Sequence, residues 1–237
     1  PFRLFWQDLR TQKRVIAALM RREYVTRWGR RNLGFAWLFA EPLVFSFPVL
    51  AVWSVIRAPF EHGLRLIPFL WTGYMGILLF RHVTNNSLYV IRSNAGLLYH
   101  RTVTPLDLFL GRGVMEVLGN FGAIAFSFAV FYLIGQLPWP HNFALFLTGY
   151  FFMGWWAFSV ALILAALSER NEIVVHIWQP IGYIYITVCG FLFMAAWLPP
   201  PMRRMALAVD PPLHCYEMIR AGLYGNHVET FYDPVYL

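Results

Sequence analysis

Charge is what this sequence has little of. Only 13% of its 237 residues are charged, and Lys13 is the lone lysine among nineteen basic residues. A soluble domain of this length needs a far more charged surface to stay dispersed. Cysteine is scarce as well. Cys189 and Cys215 give neither a disulfide framework nor a metal-binding spacing, and both read as small buried or interfacial hydrophobes. His214 and Cys215 are adjacent, too close for a zinc pair, so no metal site is expected. Hydrolase signatures such as H-E-x-x-H and G-x-S-x-G are missing, which argues against an enzyme. Lys13 follows Gln12 where a phosphate-binding loop requires glycine, so nucleotide-driven work must be powered by another chain. No secretory signal is expected either: the first apolar run starts late, is long, and lacks a small-x-small cleavage site.

What is present is hydrocarbon. Hydrophobic residues make up 59% of the chain, aromatics 19%, and the mean hydropathy is +0.52. Five apolar segments, near 34–56, 67–91, 106–134, 143–167 and 173–198, are long enough to cross about 30 Å of hydrocarbon at about 1.5 Å per residue. They predict an all-α integral membrane protein with a single transmembrane domain over 1–237. Residues 199–232 form an outer re-entrant loop. The breaks between segments are RAPFEHGLR, RSNAGLLYHRTVTP, GQLPWPHN, SERNE and LPPPMRR. The closing FYDPVYL places Asp233 before Pro234, a helix-start pattern that puts a sixth span beyond Leu237.

Orientation follows from the cations. Residues 1–33 carry nine Arg or Lys against Asp8 and Glu23. With that end cytoplasmic, inner segments hold twelve cations and outer segments five. This asymmetry favours a membrane protein with its N-terminus in the cytoplasm. Val15-Ile16, Leu19-Met20 and Glu23-Tyr24 mark an amphipathic helix whose other side is rich in arginine. Such a helix lies among lipid headgroups, with Gly29 letting the chain bend into the first span. Arg21, Arg22, Arg27, Arg30 and Arg31 are the cations that would attract an anionic headgroup, with orientation and anchoring as the plainer role.

Between the second and third spans, Ser93 or Asn94 predicts the cap of a short helix running through His100, and Thr104-Pro105-x-Asp107 the cap of the third span. That short helix is either a handle for a cytoplasmic partner or an ordinary connection. Glu41, Arg81 and Glu116 sit at similar depth in the first three spans, so Arg81 is expected to neutralise Glu41 or Glu116. His82 beside Arg81 leaves a proton relay as the alternative. Of the many aromatics, Trp53, Tyr183 and Tyr185 are candidates to line a channel with flat amphipathic rings, against packing as the alternative.

Three stretches carry a family resemblance. RREYVTRWGRRNLGFAWLFAEP (21–42) resembles the entry to the first span in capsular polysaccharide permeases of type-two ABC exporters. SNAGLLYHRTVTPLDLFLGRGVMEVL (93–118) resembles their coupling region, and DPPLHCYEMIRAGLYG (210–225) their outer re-entrant loop. Asp210 stands where that family usually has asparagine, and Pro212 is an additional proline beside Pro211. The resemblance covers about residues 20–225. It implies a six-span half-transporter working as a homodimer with two cytoplasmic ATPase subunits, which bind the ATP and Mg, while this chain holds no cofactor. Asn94, Leu97, Leu98, Tyr99, His100 and Arg101 would form the coupling helix. The cargo would be a lipid-linked, acidic capsule polysaccharide, entering near the arginine-rich helix and passing between protomers. A periplasmic adaptor of the polysaccharide co-polymerase type would dock outside; nucleic acid is no partner. O-antigen or teichoic acid export, and a membrane-embedded enzyme acting on lipid-linked sugars, are the alternatives.

Overall fold

The computed structural model describes residues 2–28, 33–56, 60–61, 63–99 and 103–237. Side chains of residues 2–5, 7–8, 27–28, 33–42, 45 and 60–61 fall outside the description. Helices α1 (Phe2–Trp28) and α2 (Leu33–Ile56) are followed by a two-strand ribbon, β1 (Phe60–Glu61) antiparallel to β2 (Leu64–Arg65). Then come α3 (Leu66–Ser87), α4 (Pro105–Leu133), α5 (Phe143–Arg170), α6 (Ile173–Val188), α7 (Pro200–Val209) and α8 (Pro211–Tyr224). Among the described residues α3, α4 and α5 are long and apolar enough to cross a membrane.

Local chemistry sets the helix ends. The Thr104 side chain accepts from the Asp107 N–H while the Asp107 carboxylate accepts from the Thr104 N–H, a reciprocal cap with Pro105 in the first turn. Asn142 caps α5 through the Leu145 N–H. At the far end Asp233 accepts from the Val235 N–H and opens a turn over 234–236.

The fifth apolar segment departs from expectation. A continuous span over 173–198 was predicted, but α6 stops at Val188 after 16 residues. Gly190 turns the chain at φ +84°, a conformation that favours glycine, and residues 189–198 form no α-helix. Every residue from Gly190 to Leu198 is glycine or apolar, so hydropathy cannot register the break. The freed backbone groups find partners on α8. Arg220, wholly buried, donates to the carbonyls of Phe193 (2.6 Å) and Phe191 (2.8 Å). Buried Glu217 accepts from the N–H groups of Ala195 (3.0 Å) and Phe231 (2.9 Å). Irregular backbone at membrane depth survives only when protein satisfies it in this way.

Helix α8 is the re-entrant element. Its residues from Pro212 to Leu223 are buried. The Tyr216 hydroxyl donates to the Gly73 carbonyl, seven residues into α3 or about 10 Å at helical rise. Side chains are excluded where α8 meets α5: a Cβ on Gly149 would lie 2.7 Å from Ile219 Cγ1, and one on Gly222 would strike the Phe146 backbone. Beside this seam Trp71 stacks on Phe146 and the Tyr150 hydroxyl reaches the Thr72 carbonyl.

Candidate functional site

The arginine-rich helix does not stand apart from the bundle. Gln12 Nε2 donates to Asp107 (3.2 Å), Leu19 packs where Gly111 leaves room, and Glu23 pairs with Arg112 (3.4 Å). Residues 12–23 of α1 cover about 16 Å at helical rise, whereas 107–112 of α4 cover about 7.5 Å. The two helices therefore cross steeply, as a helix lying across the foot of an upright one must.

Beside this crossing lies the connection from α3 to α4. Arg92–Tyr99 forms two 3-10 turns joined by a bend at Asn94 (φ −121°, ψ 17°). Asn94 is 8% exposed, and its amide is fully engaged. Its Oδ1 accepts from Arg22 Nη1 of α1 at 2.7 Å, and its Nδ2 donates to the Val90 carbonyl at 2.9 Å. Leu97 and Leu98 are half-buried against the core. Tyr99, at 90% exposure, is the side chain the segment presents outward. His100 and Arg101 lie outside the described residues.

A second tether leads to the α5–α6 corner. Arg92 Nη1 meets Glu172 at 2.7 Å, Arg92 Nε lies 3.8 Å from Glu169, and Nη2 donates to the Ser168 carbonyl at 3.2 Å. Ser168 Oγ donates in turn to the Leu88 carbonyl. The guanidinium thus sits at the C-terminus of α5, where exposed carbonyls favour a cation.

The remaining predicted residues are dispersed. Arg21 is exposed on α1 and Arg22 is engaged by Asn94, while the side chains of Arg27, Arg30 and Arg31 lie outside the description. The Arg81 guanidinium lies over the Tyr183 ring at 4.4 Å. Glu116 is buried on α4, lining a small void with Arg112, Val83, Asn86 and Ser87. The side chain of Glu41, its fellow candidate for Arg81, is outside the description. His82 shares a hydrogen bond with Asn120 at 3.1 Å, tying α3 to α4. Trp53 packs on the core from α2, and Tyr183 is exposed. Tyr185 donates its hydroxyl to Asp210 (2.7 Å), joining α6 to the α7–α8 corner. Burial pushes the Asp210 carboxyl up to about 6, against the opposing pull of that hydroxyl and of the Leu213 backbone. His214 Nδ1 accepts from the Asp233 N–H (3.0 Å), so Nε2 carries the proton and donates to the Leu207 carbonyl (2.7 Å). The sequence alone singled out neither Arg92 nor Arg112 for such contacts. Their acidic partners are more than seventy residues away, beyond the reach of any local pattern.

An arginine-rich helix crossing the foot of the third long helix, a tethered turn beside it and a re-entrant helix at the opposite end make one arrangement. Residues 14–224 match the sequence model of the ABC-2 type transporter family. The chain belongs to that family. It is 35% identical over 233 residues to the capsule polysaccharide export inner-membrane protein CtrC of Neisseria meningitidis serogroup B, covering 98% of this chain and 88% of that one. With the capsule polysaccharide export inner-membrane protein BexB of Haemophilus influenzae the identity is 37% over 227 residues, 96% and 85% of the two chains. The polysialic acid transport protein KpsM of Escherichia coli matches at 31% over 107 residues, 45% and 42% of the two chains. Within the ABC-2 family, the segment Arg92–Tyr99 and its tethers are the candidate site of this chain.

Proposed function

We propose that this chain is the transmembrane subunit of an ATP-driven exporter that moves a lipid-linked capsular polysaccharide across a bacterial inner membrane. It works as a homodimer joined to two cytoplasmic ATPase subunits, with its N-terminus in the cytoplasm and a periplasmic adaptor outside. The ATPases bind the ATP and Mg, because this sequence has no phosphate-binding loop of its own. The observation that carries the reading is near-full-length identity of 35–37% to proteins named for capsule polysaccharide export in the inner membrane. Geometry supports it: the turn that presents Tyr99 lies at the same end as the arginine-rich helix.

In this reading residues 94–101 seat in the ATPase, with Leu97, Leu98 and Tyr99 forming the contact and His100 and Arg101 flanking it. Exposed Arg21, together with Arg27, Arg30 and Arg31, attracts the anionic end of the lipid carrier. A sliding polymer needs many weak contacts in place of a few strong ones, and Trp53 and Tyr183 suit that role. The test is co-expression with the ATPase encoded beside this chain. A stable complex is expected, and changing Tyr99, His100 and Arg101 together to alanine should leave its ATPase rate unresponsive to the membrane subunit. A triple variant that couples like the unmodified protein contradicts the assignment.

A further inference from the structure

We propose that Arg22 and Arg92 are positioning residues that pin the bend of the Arg92–Tyr99 segment to α1 on one side and to the α5–α6 corner on the other, so that a push on the segment moves both. This rests on the reading of the segment as an ATPase seat.

Asn94 is the one residue within Arg92–Tyr99 with non-helical backbone angles, so the segment bends there. The Arg22 guanidinium grips that residue directly, and Asn94 Nδ2 holds the Val90 carbonyl behind it. Two residues before the bend, Arg92 reaches Glu172 and the Ser168 carbonyl. A short bent segment, clamped at its pivot by one helix and at its root by another, cannot tilt without dragging both.

The Arg92 tether contributes little to holding the fold. Arg92 and Glu172 have side chains 38% and 76% exposed, and pairs so open to water stabilise a fold only weakly. Helix α1 is already fixed to α4 by the half-buried Glu23–Arg112 pair and the Leu19–Gly111 contact. A link to Asn94 adds nothing that docking of α1 requires. It does add a direct connection between the surface offered to the ATPase and the arginine-rich helix. The same geometry removes Arg22 from the cations free to meet a lipid headgroup and leaves that role to its neighbours.

The experiment uses the full chain with its ATPase in lipid vesicles, with spin labels at Ala18 of α1 and Ala95 of the segment, both exposed. Separation is read without nucleotide and with ATP trapped by vanadate, beside the polysaccharide exported per ATP hydrolysed. The unmodified complex should show one narrow distance in both states, because α1 and the segment travel together. Arg22→Ala should still bind the ATPase but broaden the trapped-state distribution and lower export per ATP on the order of tenfold. Arg92→Ala should do the same for a label pair between Ala95 and Ala166, an exposed position of α5. Arg22→Lys, whose ammonium can still donate to Asn94 Oδ1, should recover part of both readouts. A narrow distribution with unmodified coupling in Arg22→Ala overturns the proposal, as does a free change of separation in the unmodified complex. Failure of the unmodified chain to bind the ATPase instead sinks the functional reading. Dependence of the Ala18–Ala95 distance on Arg22 in the isolated chain would then still establish the pin.

Discussion

The two ends of this molecule use arginine in opposite ways. At the basic end Arg22 reaches Asn94 through one part-buried hydrogen bond, and the open Arg92 side chain reaches Glu172, Glu169 and the Ser168 carbonyl, all between separate elements. At the opposite end Arg220 is wholly buried, donates to the carbonyls of Phe191 and Phe193, and lies with its charge over the Phe69 ring at 4.1 Å. Exposed contacts are weak and quickly remade, and they suit parts that shift during a cycle. A buried cation that holds two main-chain carbonyls costs several kcal/mol to disturb and suits a fixed frame. The contrast assigns motion to the basic end and rigidity to the re-entrant end.

The largest effect that can break this contrast is at Arg220. Arg220→Ala leaves the carbonyls of the interrupted segment without a donor and should destabilise the protein by about 3–5 kcal/mol. A thermal unfolding midpoint in detergent matching that of the unmodified protein would remove the frame from the account. Next comes Gly149→Val, where even the Cβ falls 2.7 Å from Ile219 Cγ1. Overpacking there should cost about 1–3 kcal/mol and loosen α8 from α5, seen as faster cleavage of the outer loop by added protease.

A pH effect sharpens the comparison further. The folded Asp210 carboxyl sits at about 6, above its ordinary value, so the folded state holds the proton more tightly than the unfolded one. Its favourable contribution is complete below about 4, declines as pH rises through about 6, and is absent above. Asp210→Asn should flatten the unfolding midpoint between those limits; an unchanged slope would show that another group sets it. The smallest stability change belongs to Arg92→Ala, expected within about 1 kcal/mol of the unmodified protein in the same unfolding assay. A loss as large as that at Arg220 would erase the difference between the two ends.

Much of the fold could be read from the chain because bilayer physics leaves few options. Long apolar runs and the Thr104-Pro105-x-Asp107 cap mark α2, α3, α4 and α5 to within a few residues, whereas α1 extends well before the Val15–Tyr24 stretch that its amphipathic pattern marked. The end of α6 was hidden because CGFLFMAAW is as apolar as a span, and Gly190 is its lone local sign. Glu217 and Arg220 stood in a motif whose role needed the interrupted segment to be visible. Within the candidate site, a short helix was expected from a Ser93 or Asn94 cap, and the chain instead forms 3-10 turns from Arg92 to Tyr99 that bend at Asn94. Burial of Asn94 was not legible, since an asparagine in a loop ordinarily faces water. The bond from the Tyr185 hydroxyl to Asp210 was equally hidden, since the two residues lie on different elements.

Position 99 offers the most direct test of the account. Cys189 and Cys215 are both buried, so Tyr99→Cys gives a single reactive thiol for a membrane-impermeant maleimide. Labelling should occur in inverted inner-membrane vesicles, fall sharply when the ATPase is bound, and be absent from the periplasmic side of intact cells. Modification of that thiol from the periplasm would place the tethered turn on the wrong face and contradict the account.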